Sequence, residues 1–308
     1  MTDKKHVAVL LGGWSAEREV SLASGEACAG ALEDAGYRVS KLDPTRRVAD
    51  ELIKLAPDVV FNALHGTWGE DGCVQGILET LEIPYTHSGV LASALAMDKA
   101  RARVQFEKAG IPVAEGVVVS RKEAARRHVI QPPYVIKPNR GGSSVGVHIV
   151  TEQDETPPSE LASGDWSYDE EVLVESFVAG RELTCAVMGE AALGIIDIVP
   201  TDGFYDYTAK YAPGGSRHIL PAKLKPNIYL RIQKLALEAH KSLGCRGVSR
   251  ADFRLDDDPG GSGALVCLEV NTQPGMTQTS LVPELAEHEG YSFEALVRWM
   301  VEDASCGR

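Results

Sequence analysis

The sequence predicts an α/β protein that begins with an N-terminal open, largely parallel α/β domain. Three observations lead there. His6–Leu11 is a short aliphatic run broken by Gly12-Gly13 and followed at once by helix-forming residues, a strand–turn–helix opening. Strand-like and helix-like runs then alternate over short connections to about residue 95, the pattern of a parallel sheet. Beyond that point the chain changes character, with strands joined by glycine loops and turns.

Taken in order, the helix opening at Ser15-Ala-Glu-Arg-Glu19 carries a capping signal. Helix Val48–Leu55 leads into strand Asp58–Leu64, which ends in His65-Gly66. Helix Val74–Leu81 and a short strand Ile83–Tyr85 follow. Open α/β sheets bind ligands at the carboxyl ends of strands, so Gly12-Gly13 and His65-Gly66 mark a binding edge on a domain of residues 1–95. The next part, 96–180, holds helix Ser93–Ala109 at its boundary, strand Val117–Ser120, helix Arg121–His128 and strand Tyr134–Lys137. A glycine/serine loop over 138–146 leads to strand Val147–Val150, and strand Val172–Glu175 closes the part. The last part, 181–308, opens with strands Leu183–Met188 and Ala192–Val199. Residues 200–221 are irregular and rich in Gly, Pro and Tyr, the composition of a lid or binding loop. Helix Asn227–Leu243, strands Gly247–Leu255 and Ala264–Asn271, and helix Ser292–Asp303 complete the chain.

Composition narrows the function. Across 308 residues, 31 Lys and Arg face 44 Asp and Glu, a formal charge of −13 that disfavours binding to nucleic-acid backbones. No apolar run reaches the ~18 residues of a membrane span, and the first residues leave no room for a signal peptide. Cysteines 28, 73, 185, 245, 267 and 306 stand singly, without zinc spacing. A cytoplasmic protein is expected.

The P-loop, dinucleotide, nucleophile-elbow and zincin motifs are all missing. The best constellation is the C-terminal hairpin. Side chains alternate along a strand, so Arg250, Asp252 and Arg254 share one face, as do Glu269 and Asn271, with Val266, Leu268 and Val270 opposite. Closing the hairpin brings the two carboxylates and the carboxamide together beside Arg250. Oxygen donors without sulfur or imidazole suit Mg²⁺, particularly when phosphates complete the shell. An ordinary hairpin can also carry acids on its outer face, but the apolar flank and the E-x-N-x-x-P-G ending favour a metal.

A cationic set accompanies it. Lys137 precedes the Gly141–Gly146 loop, Lys99 follows Met97-Asp98, and Lys210 sits in the 200–221 segment. Lysine suits phosphate oxygens, and glycines let backbone approach them. Glu17 and Glu19 have a simple explanation as first-turn acids; a substrate ammonium on Glu17 is the other reading, and the residues alone leave both open.

With these residues in place, the sequence resembles the D-alanine–D-alanine ligase family of the ATP-grasp superfamily. Leu10–Ser21, His65–Gly76, Arg250-Ala-Asp252 and Leu268–Gly275 carry the resemblance, which runs essentially end to end. It implies a two-part ATP-grasp fold (α+β) after the first domain, with the nucleotide between the parts. It implies ATP-dependent joining of two D-alanine molecules through an acyl phosphate, in peptidoglycan precursor synthesis, by a homodimer paired through its first domain. The resemblance assigns Mg²⁺, two ions with Mn²⁺ as a substitute, to Asp252, Glu269 and Asn271. Lys99, Lys137, Ser143, Ser144 and Lys210 take ATP phosphates, Glu175 and the Val178 backbone the adenine, and Glu182 the ribose. Glu17 receives the first substrate's ammonium, with Ser143 and Tyr211 as its hydrogen-bonded partners and His65 close by. Arg250 and the Gly275 N–H form the oxyanion site, and Ser280 anchors the second carboxylate. Tyr211 stands where makers of D-alanyl-D-lactate carry phenylalanine, which points to the dipeptide. Trp14, Gly141, Ser176 and Arg254 depart from the family pattern.

Other readings are a related ATP-grasp ligase with a different acceptor and a nucleotide-binding regulator without turnover. A dehydrogenase is the weakest, since Gly12-Gly13-Trp14 lacks the required glycine spacing.

Overall fold

The computed structural model describes residues 4–142, 146–164, 166–201, 214–277 and 279–307. Ser143, Ser144, Lys210 and Tyr211 lie outside the described residues.

The chain opens with β1 (His6–Leu10), α1 (Arg18–Asp34), β2 (Arg38–Leu42), α2 (Val48–Leu55), β3 (Val59–Asn62) and α3 (Cys73–Thr80). The strands form a parallel sheet in the order β2-β1-β3. All five residues of β1 are buried, as expected of a parallel strand covered on both faces. Val7, Val9 and Phe61 pack with Cys28 and Leu32 of α1 on one side. Ala8, Leu10 and Val60 pack with Val48, Leu52, Val74 and Leu78 on the other. Strand β2, at the sheet edge, has no apolar run to announce it. The expected strand Ile83–Tyr85 reduces to isolated bridges at Tyr85, parallel to Val60 and antiparallel to Ser305.

Next come α4 (Val90–Met97), α5 (Lys99–Lys108), β4 (Gly116–Ser120), α6 (Arg121–Ala124), β5 (Tyr134–Pro138), β6 (His148–Val150) and β7 (Glu171–Ser176). The strands make an antiparallel sheet, β4-β7-β5-β6. The single helix expected over 93–109 is two helices. Asp98 is extended between them (φ −97°, ψ 98°), and its carboxylate caps α5 by accepting the Arg101 N–H at 3.1 Å.

The last part contains β8 (Arg181–Met188), β9 (Ala191–Pro200), β10 (Ser216–Ile219), α7 (Pro226–Leu243), β11 (Val248–Leu255), β12 (Leu265–Asn271), α8 (Leu281–His288) and α9 (Phe293–Asp303). Its antiparallel sheet runs β10-β9-β8-β11-β12. Strand β10 falls inside the segment expected to be irregular. Pro226 opens α7 and left-handed Gly244 (φ 74°) ends it. One sheet face, Leu183, Cys185, Phe253 and Leu255, packs on Ile232, Leu235 and Ala239 of α7. The other face is shared. Ala186, Met188 and Val248 join Val297, Met300 and Val301 of α9 in the same core as Val7, Val9 and Phe61 of the first sheet. Thr184, Asp252 and Arg254, on that same face, lie outside this core, and Asp252 and Arg254 open toward the four-stranded sheet.

Candidate active site

Between the two antiparallel sheets lies a cleft of about 890 Å³, counting the part open to solvent. Strand alternation supplies its walls. In β5, Tyr134 and Ile136 enter the core while Val135 and Lys137 face the cleft. In β7, Val172 and Val174 are core and Glu175 faces the cleft. Glu182 of β8 and Asp252 and Arg254 of β11 line the opposite wall, with Lys99, Val178 and Glu269. Seven sequence-predicted residues thus meet in one cavity: Lys99, Lys137, Glu175, Val178, Glu182, Asp252 and Glu269.

Asp252 pairs directly across the strands with Glu269, and Arg250 with Asn271. The alternation expected along β12 is interrupted. Pairing shifts between Asp252 and Phe253, because Phe253 stands opposite Cys267 and leaves Leu268 as an extra residue. Both Leu268 and Glu269 therefore line the cleft, although strict alternation would send Leu268 to the other face. Arg250 forks onto Asp252, Nε to Oδ1 at 2.9 Å and Nη2 to Oδ2 at 2.8 Å, and the Thr184 hydroxyl donates to Oδ1 at 2.6 Å. Among the described residues no three His, Cys, Asp or Glu side chains gather as a self-sufficient metal cage. The set here is two carboxylates plus the Asn271 carboxamide, all hard oxygen donors. That chemistry fits a magnesium-type ion that shares its shell with ligand phosphates.

The cations are tied in different ways. Lys99, the first residue of α5, donates from Nζ to the Gly141 carbonyl at 2.6 Å and lies 4.0 Å from Glu269 Oε2. The Asn139 carbonyl accepts its backbone N–H at 3.0 Å, and the Asn139 side chain donates to Asp98 at 3.0 Å. Lysine and glycine loop are thereby held together. Lys137 Nζ lies against Glu175, whose other oxygen accepts from Arg103, a buried residue the sequence reading missed. The departure at Arg254 has a clear role: it donates to the Val178 and Gly180 carbonyls, each at 3.0 Å, and covers the Phe177 ring at 5.6 Å.

A second, wider cavity shares Gly141 and Gly142 with the first and is lined by Ser15, Glu17, Gly66 and Thr67. Glu17 is the residue before α1, which begins at Arg18, inside the Ser15–Glu19 stretch that marks the helix opening in the sequence. A methyl on Gly142 would lie 3.1 Å from Glu17 Oε1 and 3.9 Å from Glu70 Oε1. Glu70 is a second acid here that the sequence reading missed. Burial, reinforced by Glu17, pushes its carboxyl up to about 8, against the Gly66 N–H that it accepts. Burial lowers the His65 imidazole to about 4, so it is neutral, and its Nε2 lies 3.1 Å from the Ser24 hydroxyl. The same hydroxyl accepts the N–H of Met276, next to Gly275. Ser280 is the residue before α8, its Oγ accepting the Thr277 N–H at 3.0 Å ahead of the helix, and a methyl on Gly275 would stand 3.0 Å from that oxygen. His65, Gly275 and Ser280 are thus linked through short contacts.

A cleft between two antiparallel sheets, with facing carboxylates and lysines and a glycine loop at its edge, defines a ligase of the ATP-grasp class. Comparisons refine this. Residues 105–302 match the family model for the D-ala D-ala ligase C-terminus, and residues 41–88 that for its N-terminus. The chain is 65% identical over 304 residues to the D-alanine–D-alanine ligase of Xanthobacter autotrophicus, covering 99% of each. It is 63% identical over 308 residues to that of Parvibaculum lavamentivorans, covering all of both. The crystal structure of the Bacillus anthracis D-alanine–D-alanine ligase complexed with ATP superposes with a TM-score of 0.79 at 31% identity, covering 98% of this chain and 97% of that one. The chain belongs to the D-alanine–D-alanine ligase family.

Proposed function

We propose that this enzyme joins two D-alanine molecules to D-alanyl-D-alanine at the expense of ATP, for peptidoglycan precursor synthesis. The observation that carries the reading is the pairing of Asp252 with Glu269 in a cleft that also holds Lys99 and Lys137 and adjoins, across Gly141-Gly142, the cavity lined by Glu17. One cavity offers a nucleotide its charges, and the other offers an amino acid an anion.

In this reading a carboxylate oxygen of the first D-alanine attacks the γ-phosphorus and ADP departs. The amine of the second, having lost a proton, attacks the acyl carbon, and phosphate leaves with the C–O bond electrons. Glu17 receives the first ammonium, with His65 beside it. Arg250 and the Gly275 N–H steady the oxyanion, and Ser280 holds the second carboxylate. Lys99 and Lys137 grip phosphates, Glu175 and the Val178 backbone hold the adenine, and Glu182 takes the ribose. Ser143, Ser144, Lys210 and Tyr211 complete these sets by resemblance. Asp252, Glu269 and Asn271 would hold Mg²⁺, or Mn²⁺ in its place, which supplies charge neutralisation at the phosphates. Much of the catalysis then rests on positioning of charged reactants.

The same reading divides the chain into parts 1–95, 96–180 and 181–308; each of the three sheets draws its strands from one of them. It also holds the enzyme to be a cytoplasmic homodimer. No helix among the described residues is long and apolar enough to cross a membrane.

Phosphate release with ATP and Mg²⁺, compared for D-alanine, L-alanine and D-alanine plus D-lactate with products weighed by mass spectrometry, tests the proposal. Release with D-alanine alone, yielding the dipeptide, is expected. Release only with another acceptor overturns the substrate, and no release with any overturns the reaction.

A further inference from the structure

Glu175 is a buried carboxylate gripped on both sides. One oxygen meets Lys137 Nζ and the other Arg103 Nη1, and both cations are themselves largely buried. Arg103 sits on the inner side of α5 and also donates from Nη2 to the Ala114 carbonyl at 2.6 Å, which fixes the guanidinium plane. Ala114, Glu175, Phe177 and Val178 all line the cleft, whereas Arg103 does not. The strand opposite leaves room for this arrangement: Gly116 pairs with Glu175, and a methyl there would meet the Glu175 Cγ at 3.0 Å.

This geometry has a consequence for which base the cleft accepts. It rests on the proposed function, in which Lys137 turns to the nucleotide phosphates. Glu175 then keeps one cationic partner, Arg103, and presents its other oxygen to the base. A carboxylate acceptor suits a purine with an exocyclic amino donor and opposes one with a carbonyl at that position. We propose that Arg103 is a positioning residue that sets purine specificity by holding Glu175 as a fixed acceptor behind the base.

The test is equilibrium binding of ADP and IDP by calorimetry, with KM and kcat for ATP and ITP alongside. Variants are Arg103→Lys, Arg103→Met, Glu175→Gln and the double R103M/E175Q. In wild type ADP should bind far more tightly than IDP. Arg103→Met should weaken ADP by about tenfold or more while IDP changes little, so the preference collapses, with KM for ATP rising and kcat nearly kept. Arg103→Lys should restore most of the preference. Removing one partner of a buried ion pair can unfold a protein. The double variant covers that case, because it deletes both charges: added to Glu175→Gln, Arg103→Met should leave the ADP-to-IDP ratio unmoved. Equal weakening of ADP and IDP, or a further change of the ratio in the Glu175→Gln background, overturns the role given to Arg103. Failure of wild type to bind either nucleotide overturns the proposed function itself.

Discussion

Asp252 and Glu269 stand directly opposite each other across β11 and β12, with Arg250 opposite Asn271 as the next pair on that face. Antiparallel partners of this kind lie within about 5.5 Å at Cβ, close enough to share a small cation. Two carboxylates so close repel each other unless positive charge lies between or beside them, and Arg250 supplies part of it to Asp252. Glu269→Gln keeps the shape and removes one charge. Phosphate release in the presence of Mg²⁺ should fall by about a thousandfold. The thermal midpoint should stay near wild type, since the side chain is only partly buried. Turnover close to wild type would remove Glu269 from the metal set.

Gly142 separates the two cavities. No positive φ forces glycine there, so the backbone tolerates alanine, and the effect of a methyl is its contact with Glu17 at 3.1 Å. Displacing that carboxylate misplaces the ammonium it receives. Gly142→Ala should raise KM for the first D-alanine by about tenfold. Steady-state titration of D-alanine at saturating ATP reads this directly.

Helix α1 offers a contrast between intrinsic preference and packing. Alanine is favoured over glycine in a helix by about 1 kcal/mol. A methyl on Gly30 meets nothing within 4 Å, so Gly30→Ala should stabilise the fold by up to about that amount. A methyl on Gly25 would lie 2.3 Å from the Leu11 Cβ, and overpacking of this kind costs about 1–3 kcal/mol. Packing should win there, and Gly25→Ala should destabilise. Urea unfolding of the two variants tests the opposite signs.

Two imidazoles are neutral because they are buried. His65 and His240 are each lowered to about 4 from an ordinary 6.5, chiefly by burial. A group depressed on folding stabilises fully above its unfolded value and loses that contribution as pH falls through the folded one. The thermal midpoint should therefore drop between pH 6.5 and 4. The double variant H65Q/H240Q should show a shallower drop over the same window.

The residues that announced themselves in the sequence were those with a local signature. β1 after His6 and β5 as far as Lys137 are short apolar runs, and the hairpin acids sit at alternating positions beside an unusual ending. What escaped was set by partners far along the chain. Arg103 reads as one of several charges on an exposed helix, and its partner Glu175 is 72 residues away. Glu70 looks like a loop acid until the fold buries it beside Glu17. Strand β2, Arg38-Val-Ser-Lys-Leu42, is a polar edge whose pairing with β1 comes from position in the sheet rather than composition. Pro283 disguised α8, although proline is tolerated within a first helical turn. The bulge at Leu268 is invisible to any rule of alternation.

The first sheet and the last helix share a core, Val7, Val9 and Phe61 meeting Val297, Met300 and Val301. During synthesis β1 and β3 emerge well before α9, so the apolar face that α9 covers stays open until the last sheet has also been made. A nascent chain with that face bare is the form a chaperone would meet.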